Sequence, residues 1–239
     1  MRGTLGLTLT MLLLGSSGQA ADLRILVDTS TDMPMGAFRD NVLIGGIQHD
    51  VGLALAAQMG RDAQFIPLPR KRIASALLRG DADLSCHYLP AWLSGDFGWT
   101  IPFMPNGVLL ISSSRTTKPP NIGALAGVPI GTVTGYAYPE VEQVLGSRFV
   151  RDDAPDSAHV LRKLAAGRTQ YALIGERFLE YQQSRGDFTL PLQPPIVVHH
   201  YDAQCAVSRR GQVSVAEVDR AIEALKRRDT FSAIYRQYR

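Results

Sequence analysis

Two hydrophobic periods alternate along the chain. Residues 23–27 (LRILV) form a short, mostly apolar run rich in β-formers, closed by Asp28-Thr29-Ser30, and predict a buried strand. The period then lengthens. Ile47, Val51, Leu55 and Met59 recur four apart, with Ala54 on the same face, and Gly60 stops the helix they predict. Residues 64–68 predict the next strand. Residues 70–79 predict a second helix, pairing Ile73 with Leu77 and Ala74 with Leu78 at i,i+4, with Gly80 at its C′ end. Residues 83–87 predict a third strand. Strands alternating with helices imply a parallel sheet with right-handed crossovers, and such sheets bind ligands at the C-terminal ends of their strands. Those ends are 28–32, 69–72 and 87–92.

The second half repeats this grammar. Residues 96–105 are aromatic and turn-rich, and 108–112 predict a strand. The Ser-, Thr- and Pro-rich segment 112–121 suggests a linker or a crossing. A strand at 128–133 leads into the loop 134–138, and Pro139 suits the first position of a helix carrying Val141, Val144 and Leu145 inward. A helix at 157–166, a strand at 171–174 and a short helix at 177–184 follow. Strands at 196–198 and 203–207 flank a candidate second crossing at 197–202. Ser214 and Glu217 have capping-box spacing ahead of a helix burying Val215, Val218, Ile222 and Leu225, and residues 231–238 close the chain as a short helix.

Composition narrows the picture without changing it. The 239 residues are 45% hydrophobic and 20% charged, enough for one large domain or two small ones. The formal net charge of +3, one less without Arg2, is too small to argue for a nucleic-acid partner or an anionic membrane. Arg209-Arg210 and Lys226-Arg227-Arg228 read as solvated surface. Residues 1–20 have the form of a secretory leader: Arg2, an apolar core at 5–14 too short to span a bilayer, and Gly18-Gln19-Ala20 before the cleavage expected after Ala20. No cysteine follows the cleavage region to carry a lipid, so the mature chain is expected to be an exported soluble protein. Cys86 and Cys205 are the only cysteines. In an oxidising compartment they either pair or stay free, and the sequence leaves this open.

Two successive α/β units, a linker and a C-terminal return make a bilobed plan. The chain resembles the family 3 extracellular solute-binding proteins, the periplasmic type best known for amino-acid uptake by ABC transporters. Four stretches carry the resemblance: LRILVDTSTDMP from Leu23, GIQHDVGLALAAQMG from Gly46, FIPLPRKRIASALLRGDADL from Phe65 and LAGVPIGTVTGYAYPEV from Leu125. The C-terminal AIEALKRRDTFSAIYRQY from Ala221 adds to them, and the match spans the mature chain. It implies a periplasmic-binding-protein-like (type II) α/β fold after the leader 1–20, with one lobe at 21–111 plus 202–239 and the other at 112–201. Two hinge crossings would join the lobes, and a small-molecule ligand would close them. It implies a monomer delivering a small polar ligand to an ABC permease of the inner membrane, with no enzymatic activity and no cofactor.

Candidate ligand residues follow from strand ends and from the resemblance together. Asp28 ends the first strand, where the family has an Asp, and either faces the cleft or caps its own loop. Thr31 stands where many members carry a stacking aromatic. Arg70 and Arg72 follow the second strand; each either binds an anion with its planar fork or is a solvated first-turn residue. His87 and Tyr88 end the third strand, and Trp92 follows. Thr134 and Tyr136 lie in a loop ahead of a helix N-terminus, which suits a ligand carboxylate. Glu176 matches the acidic residue that grips the ligand ammonium in many members, or else makes a surface ion pair. The region 92–96 has no basic residue, although members that bind α-amino acids usually carry there an Arg that forks onto the carboxylate. Either Arg70 or Arg72 substitutes, or the ligand is not a standard amino acid. His49, His159, His199 and His200 have no metal-ligand spacing, and no Walker, dinucleotide, G-x-S-x-G or H-E-x-x-H motif is present. Two other expectations stand beside transport: an enzyme similar to cyclohexadienyl dehydratases, with Glu176 and His87 as acid and base, and a sensing module for a signalling partner.

Overall fold

The computed structural model describes residues 21–238; the expected leader at 1–20 lies outside them. In chain order the elements are β1 (Leu23–Asp28), β2 (Ala37–Arg39), β3 (Val42–Gly45), α1 (Ile47–Gln58), β4 (Ala63–Leu68), α2 (Arg70–Arg79), β5 (Leu84–Tyr88), β6 (Gly98–Trp99) and β7 (Met104–Ser112). They continue as β8 (Pro129–Val133), α3 (Pro139–Leu145), β9 (Val150–Ala154), α4 (Ser157–Ala165), β10 (Tyr171–Gly175), α5 (Glu176–Ser184), β11 (Ile196–Val207), α6 (Val215–Arg227) and α7 (Thr230–Arg236).

The strands run in the order β4-β1-β5-β11-β7-β10-β8-β9. β1 is parallel to β4 and β5 at one end, and β8 is parallel to β9 and β10 at the other. Between them β11 and β7 run antiparallel, joining the parallel parts. This is a bilobed α/β architecture with two connecting strands. Parallel strands are apolar on both faces because helices cover both, and each lobe accordingly has two cores. In the first, α1, α6 and α7 bury Val51, Leu55, Ile222 and Phe231 on one face, while α2 buries Ile73 and Leu77 on the other. In the second, α4 and α5 bury Val160, Leu164 and Phe178 on one face, and α3 buries Val141 and Leu145 on the other.

Ser214 and Glu217 form the expected capping box, with the Ser214 side chain accepting from the Glu217 N–H and the Glu217 carboxylate accepting from the Ser214 N–H. Several elements differ from the sequence reading. The predicted strands at 196–198 and 203–207 are one strand, β11, with register shifts at Val197/His199 and Gln204/Cys205. The bulges let one strand follow both twisted sheets, so the crossing remains hydrogen-bonded throughout. β7 likewise pairs with β11 over Met104–Leu110 and with β10 over Val108–Ser112, so passage between the sheets is made in strand, ahead of the 112–121 segment. The hairpin β2–β3 was also not anticipated. Its turn, Asp40-Asn41, has both residues at positive φ (48° and 60°), the geometry of a two-residue hairpin turn that Asn and Asp tolerate.

Cys86 and Cys205 form a disulfide between β5 and β11, resolving the alternative left by the sequence. It closes a chain segment of 119 residues, for which chain-entropy reasoning gives a stabilisation of about 4–5 kcal/mol. The Cys86→Ser/Cys205→Ser protein should therefore lose several kcal/mol in urea unfolding and should no longer respond to reductant, whereas the parent loses a similar amount on reduction. Equal stability of the two proteins under oxidising conditions would refute this.

Candidate functional site

The C-terminal ends of β1, β4 and β5 face those of β8 and β10 across the lobes, and the loops after them line a cavity. Pro69 precedes α2, so Arg70 is its first helical residue and projects between the lobes. The Arg70 guanidinium lies over the Tyr88 ring at 4.2 Å and over the Tyr136 ring at 4.7 Å, measured to the centroids. Tyr88 belongs to β5 of the first lobe and Tyr136 to the loop after β8 of the second. One cation thus contacts aromatic rings of both lobes. Its Nη1 is 3.6 Å from Asp28 Oδ2, and the Arg70 side chain is only 10% exposed. Burial works against this charge, but Tyr88, Tyr136 and Asp28 outweigh it and hold the guanidinium above its ordinary pKa.

Asp28 combines the two roles open to it from sequence. Its Oδ1 accepts from the Ser30 N–H at 2.9 Å and from the Ser30 hydroxyl at 2.7 Å, and its Oδ2 faces Arg70 without a hydrogen bond. Tyr88 is buried, and its hydroxyl has no well-formed hydrogen bond; burial first, and Asp28 after it, push its pKa up. Tyr136 is shifted the same way, chiefly by burial.

The space there is a cavity of about 80 Å³, partly open to solvent, with Arg70, His87, Trp92, Tyr136, Tyr138 and Tyr201 in its wall. Trp92 packs nearly perpendicular to Tyr201, with ring centroids 4.8 Å apart, and its indole N–H is buried without a partner. Thr31 also lines the cavity, but its hydroxyl donates to the Asp28 carbonyl at 2.7 Å. His87 sits at φ 70°, a left-handed conformation uncommon for a residue with a side chain, beside the bulge in β11. Its Nε2 is 3.4 Å from Asn106 Nδ2. Asn106 Oδ1 already accepts from the Gly107 and Arg177 N–H groups, so the amide presents its NH₂ to His87 and the ring nitrogen accepts. Burial, then Arg70 and Arg177, lower the His87 pKa to about 4.

Asp32 supplies a second link between lobes. It lies in the loop after β1, yet its Oδ2 accepts from the Ala158 N–H at 3.1 Å, in the first turn of α4. An anion there is favoured by the free N–H groups and the helix dipole. Burial raises the Asp32 pKa, opposed by the Ala158 N–H.

The remaining candidates lie elsewhere. Arg72 is exposed. The Thr134 N–H and hydroxyl both donate to the Ala154 carbonyl, at 2.8 and 3.1 Å. Glu176 starts α5 and lines a separate, larger cavity of about 770 Å³, with its Oε2 3.2 Å from His200 Nε2. Asn106 and Tyr201 stand between the two cavities and border both. Sequence reasoning did not single out Asp32, Asn106, Tyr138 or Tyr201. An asparagine beside Pro105 in a buried strand was a usable signal, because a buried amide must find partners. Among the described residues no group of three or more His, Cys, Asp or Glu side chains is placed to hold a metal, and no helix is long and apolar enough to cross a membrane.

No family model matches the chain, and no curated protein matches its sequence. Solved structures do match its shape. An ancestral arginine-binding protein bound to arginine superposes with a TM-score of 0.74 at 17% identity, over 91% of this chain and 97% of the other. An ancestral amino acid-binding protein, described as a precursor of cyclohexadienyl dehydratase, gives 0.73 at 16%, over 91% and 94%. A histidine kinase sensor domain with similarity to periplasmic binding proteins gives 0.74 at 19%, over 91% and 95%. The chain has the periplasmic-binding-protein-like bilobed fold. At these identities the likeness is one of fold alone.

His87 makes stability depend on pH. The folded protein keeps the ring neutral down to about pH 4, whereas an unfolded chain protonates it near 6.5. The unfolded state therefore binds more protons between these values, and stability should fall as pH drops from about 6.5 to 4, by on the order of 3 kcal/mol. Asp32 has the opposite sign, since its burial cost is relieved as pH falls through its raised pKa. His87→Asn, which keeps a residue tolerant of positive φ, should remove the His87 part. Urea midpoints at pH 7 and pH 4.5 should differ less in the variant than in the parent; an equal difference would show that His87 is not the titrating group.

Proposed function

We propose that this protein is a solute-binding protein that takes a small ligand between its lobes. The observation that carries this reading is the aromatic cavity whose cation, Arg70, lies against Tyr88 of one lobe and Tyr136 of the other. An inter-lobe cavity with a few convergent polar groups suits capture and release of a small molecule. The amino-acid-binding proteins among its structural neighbours support this reading.

In this reading residues 1–20 direct export to the periplasm. One lobe is 21–111 with 202–239, the other is 112–201, and the protein is a monomer that presents its ligand to an ABC permease. Arg70, Asp28, His87, Tyr88, Trp92 and Tyr136 form the binding region. Arg72, Thr134 and Glu176 stand around it and carry less of the contact. The dehydratase ancestor and the kinase sensor domain among the neighbours define the competing enzyme and sensor readings.

Thermal-shift screening of small acids, amides, amines and amino acids, each hit followed by NMR for product, tests the reading. A ligand at 100 times its Kd should stabilise the protein by about 2.7 kcal/mol, and the ligand should be recovered unchanged. Arg70→Met should abolish the shift at the same ligand concentration. Conversion of any hit to product would replace the binding reading with the enzymatic one.

A further inference from the structure

Resting on the solute-binding reading, we propose that the ligand is a short apolar monocarboxylate, held by the edge of the Arg70 guanidinium and by the Trp92 indole N–H.

The donors of this cavity are unspent. The Tyr88 and Tyr136 rings lie against the Arg70 guanidinium at 4.2 and 4.7 Å, which leaves its N–H edge as the part able to bind a ligand. Among the described residues no acceptor meets that edge with good hydrogen-bond geometry: Asp28 Oδ2 is 3.6 Å away, and the Tyr88 hydroxyl beside it forms no well-aligned bond. Trp92 has a donor and no acceptor of its own, and that donor is buried and unpaired. A carboxylate supplies two acceptor oxygens in the plane a guanidinium fork prefers. An unpaired buried donor such as the Trp92 N–H is costly, so a ligand that satisfies it and pairs with Arg70 is selected over one that does neither.

The acids of the site are, by contrast, engaged. Asp28 is outside the cavity wall, with Oδ1 on Ser30 and Oδ2 facing Arg70 at 3.6 Å. Asp32 accepts from the α4 N-terminus. Glu176 lines the other cavity and faces His200. Of these three acids only Asp32 lines the aromatic cavity, and its Oδ2 is turned to α4, so neither Asp28 nor Glu176 offers a carboxylate oxygen to an α-amino group there. The Asn106 amide does not provide an acceptor either, because its oxygen is already shared by two N–H groups.

Size and wall chemistry limit the rest of the ligand. The cavity of about 80 Å³ is smaller than the roughly 150 Å³ that admits benzene in an engineered core. Its apolar wall includes Val108, Val133, Leu173, Ile174 and Phe178. A chain of a few carbons behind the carboxylate fits within this space, whereas an aromatic acid would extend out of it.

Isothermal titration with compounds of nearly one shape tests the class: butyrate, butyramide, propylamine and 2-aminobutyrate, with benzoate as the larger acid. Butyrate should bind at least about tenfold more tightly than each of the others. Trp92→Phe keeps a ring and removes the N–H, and should weaken butyrate about tenfold while leaving the melting temperature of the unliganded protein within a degree or two. Arg70→Lys keeps the charge and loses the fork, and should weaken it by at least as much. Tighter binding of propylamine or 2-aminobutyrate overturns the anionic class while leaving a solute-binding protein. Tighter binding of benzoate overturns the size limit. Unchanged butyrate affinity in Trp92→Phe overturns the assigned contact. If no compound in this set or in the wider thermal screen binds, the solute-binding reading itself falls.

Discussion

A buried guanidinium is the constraint around which this molecule is arranged. Taking a charge out of water costs several kcal/mol unless neighbours compensate it. Arg70 has one carboxylate, Asp28, at 3.6 Å, and two tyrosine rings within 5 Å of its guanidinium. The compensation comes from both lobes, because Tyr88 and Asp28 belong to one and Tyr136 to the other. Moving the lobes apart would take one ring away from the cation and return it to water. The state of Arg70 and the state of the cleft are therefore the same variable. Local sequence follows from this: Gly135 has φ +81°, and a Cβ there would come within 3.4 Å of Arg70 Cγ and 3.3 Å of Lys71 Cγ. The loop carrying Tyr136 approaches α2 closely because its neighbour has no side chain.

The connecting strands form the second part of the arrangement. β7 and β11 hold the lobes together, and they also bring Asn106 and Tyr201 into the wall between the two cavities. The disulfide ties β11 to β5 next to His87, whose backbone departs from the strand at φ 70°. Backbone strain of this kind persists only where surroundings over-determine it. Here the bulge in β11, the disulfide and the Asn106 amide surround the residue. The His87 ring is consequently fixed as a neutral acceptor in a small cavity beside two arginines. A charged ring would face Arg70 and Arg177 with no acid beside it.

Most of the framework was legible in the sequence, for definite reasons. α2 and α6 were readable because Ile73–Leu77 and Val218–Ile222–Leu225 keep the helical period and because Gly80 and Ser214–Glu217 mark ends. β1 and β10 were readable as short apolar runs, the signature of strands covered on both faces. β9 was missed because its sequence VRDDA is polar: it is an edge strand, pairs only with β8, and Asp152 and Asp153 are taken by Lys163, Thr132 and Arg151. The hairpin β2–β3 was overlooked although Asp40-Asn41 signals it. β11 was divided in two because a strand that serves both sheets loses clean alternation at its bulges. The site was legible only in part. Strand ends located Arg70, His87 and Trp92, but nothing local to Asp32 shows that it reaches α4 of the other lobe. A contact across 126 residues is set by how lobes close, and periodicity carries no information about that.

Closure accordingly does not depend on a ligand's charge alone. An open α4 N-terminus presents free N–H groups that attract an anion. Here the chain itself provides anions, the N-cap Asp156 and, from the other lobe, Asp32. Arg70 likewise has protein rings against it and its N–H edge unspent. What the chain leaves for a ligand is the part of each group it has not used itself: an in-plane guanidinium edge and an indole N–H, against apolar walls. The inventory of unspent donors, rather than the count of charged residues near the cleft, is what distinguishes this site. Glu176 illustrates the difference. It sits at a strand end, it is acidic, and sequence alone places it in the cleft, yet its carboxylate lies over Gly107 of the crossing strand beside His200. Position along a strand fixes where a backbone ends, and the neighbouring strand decides which cavity the side chain enters.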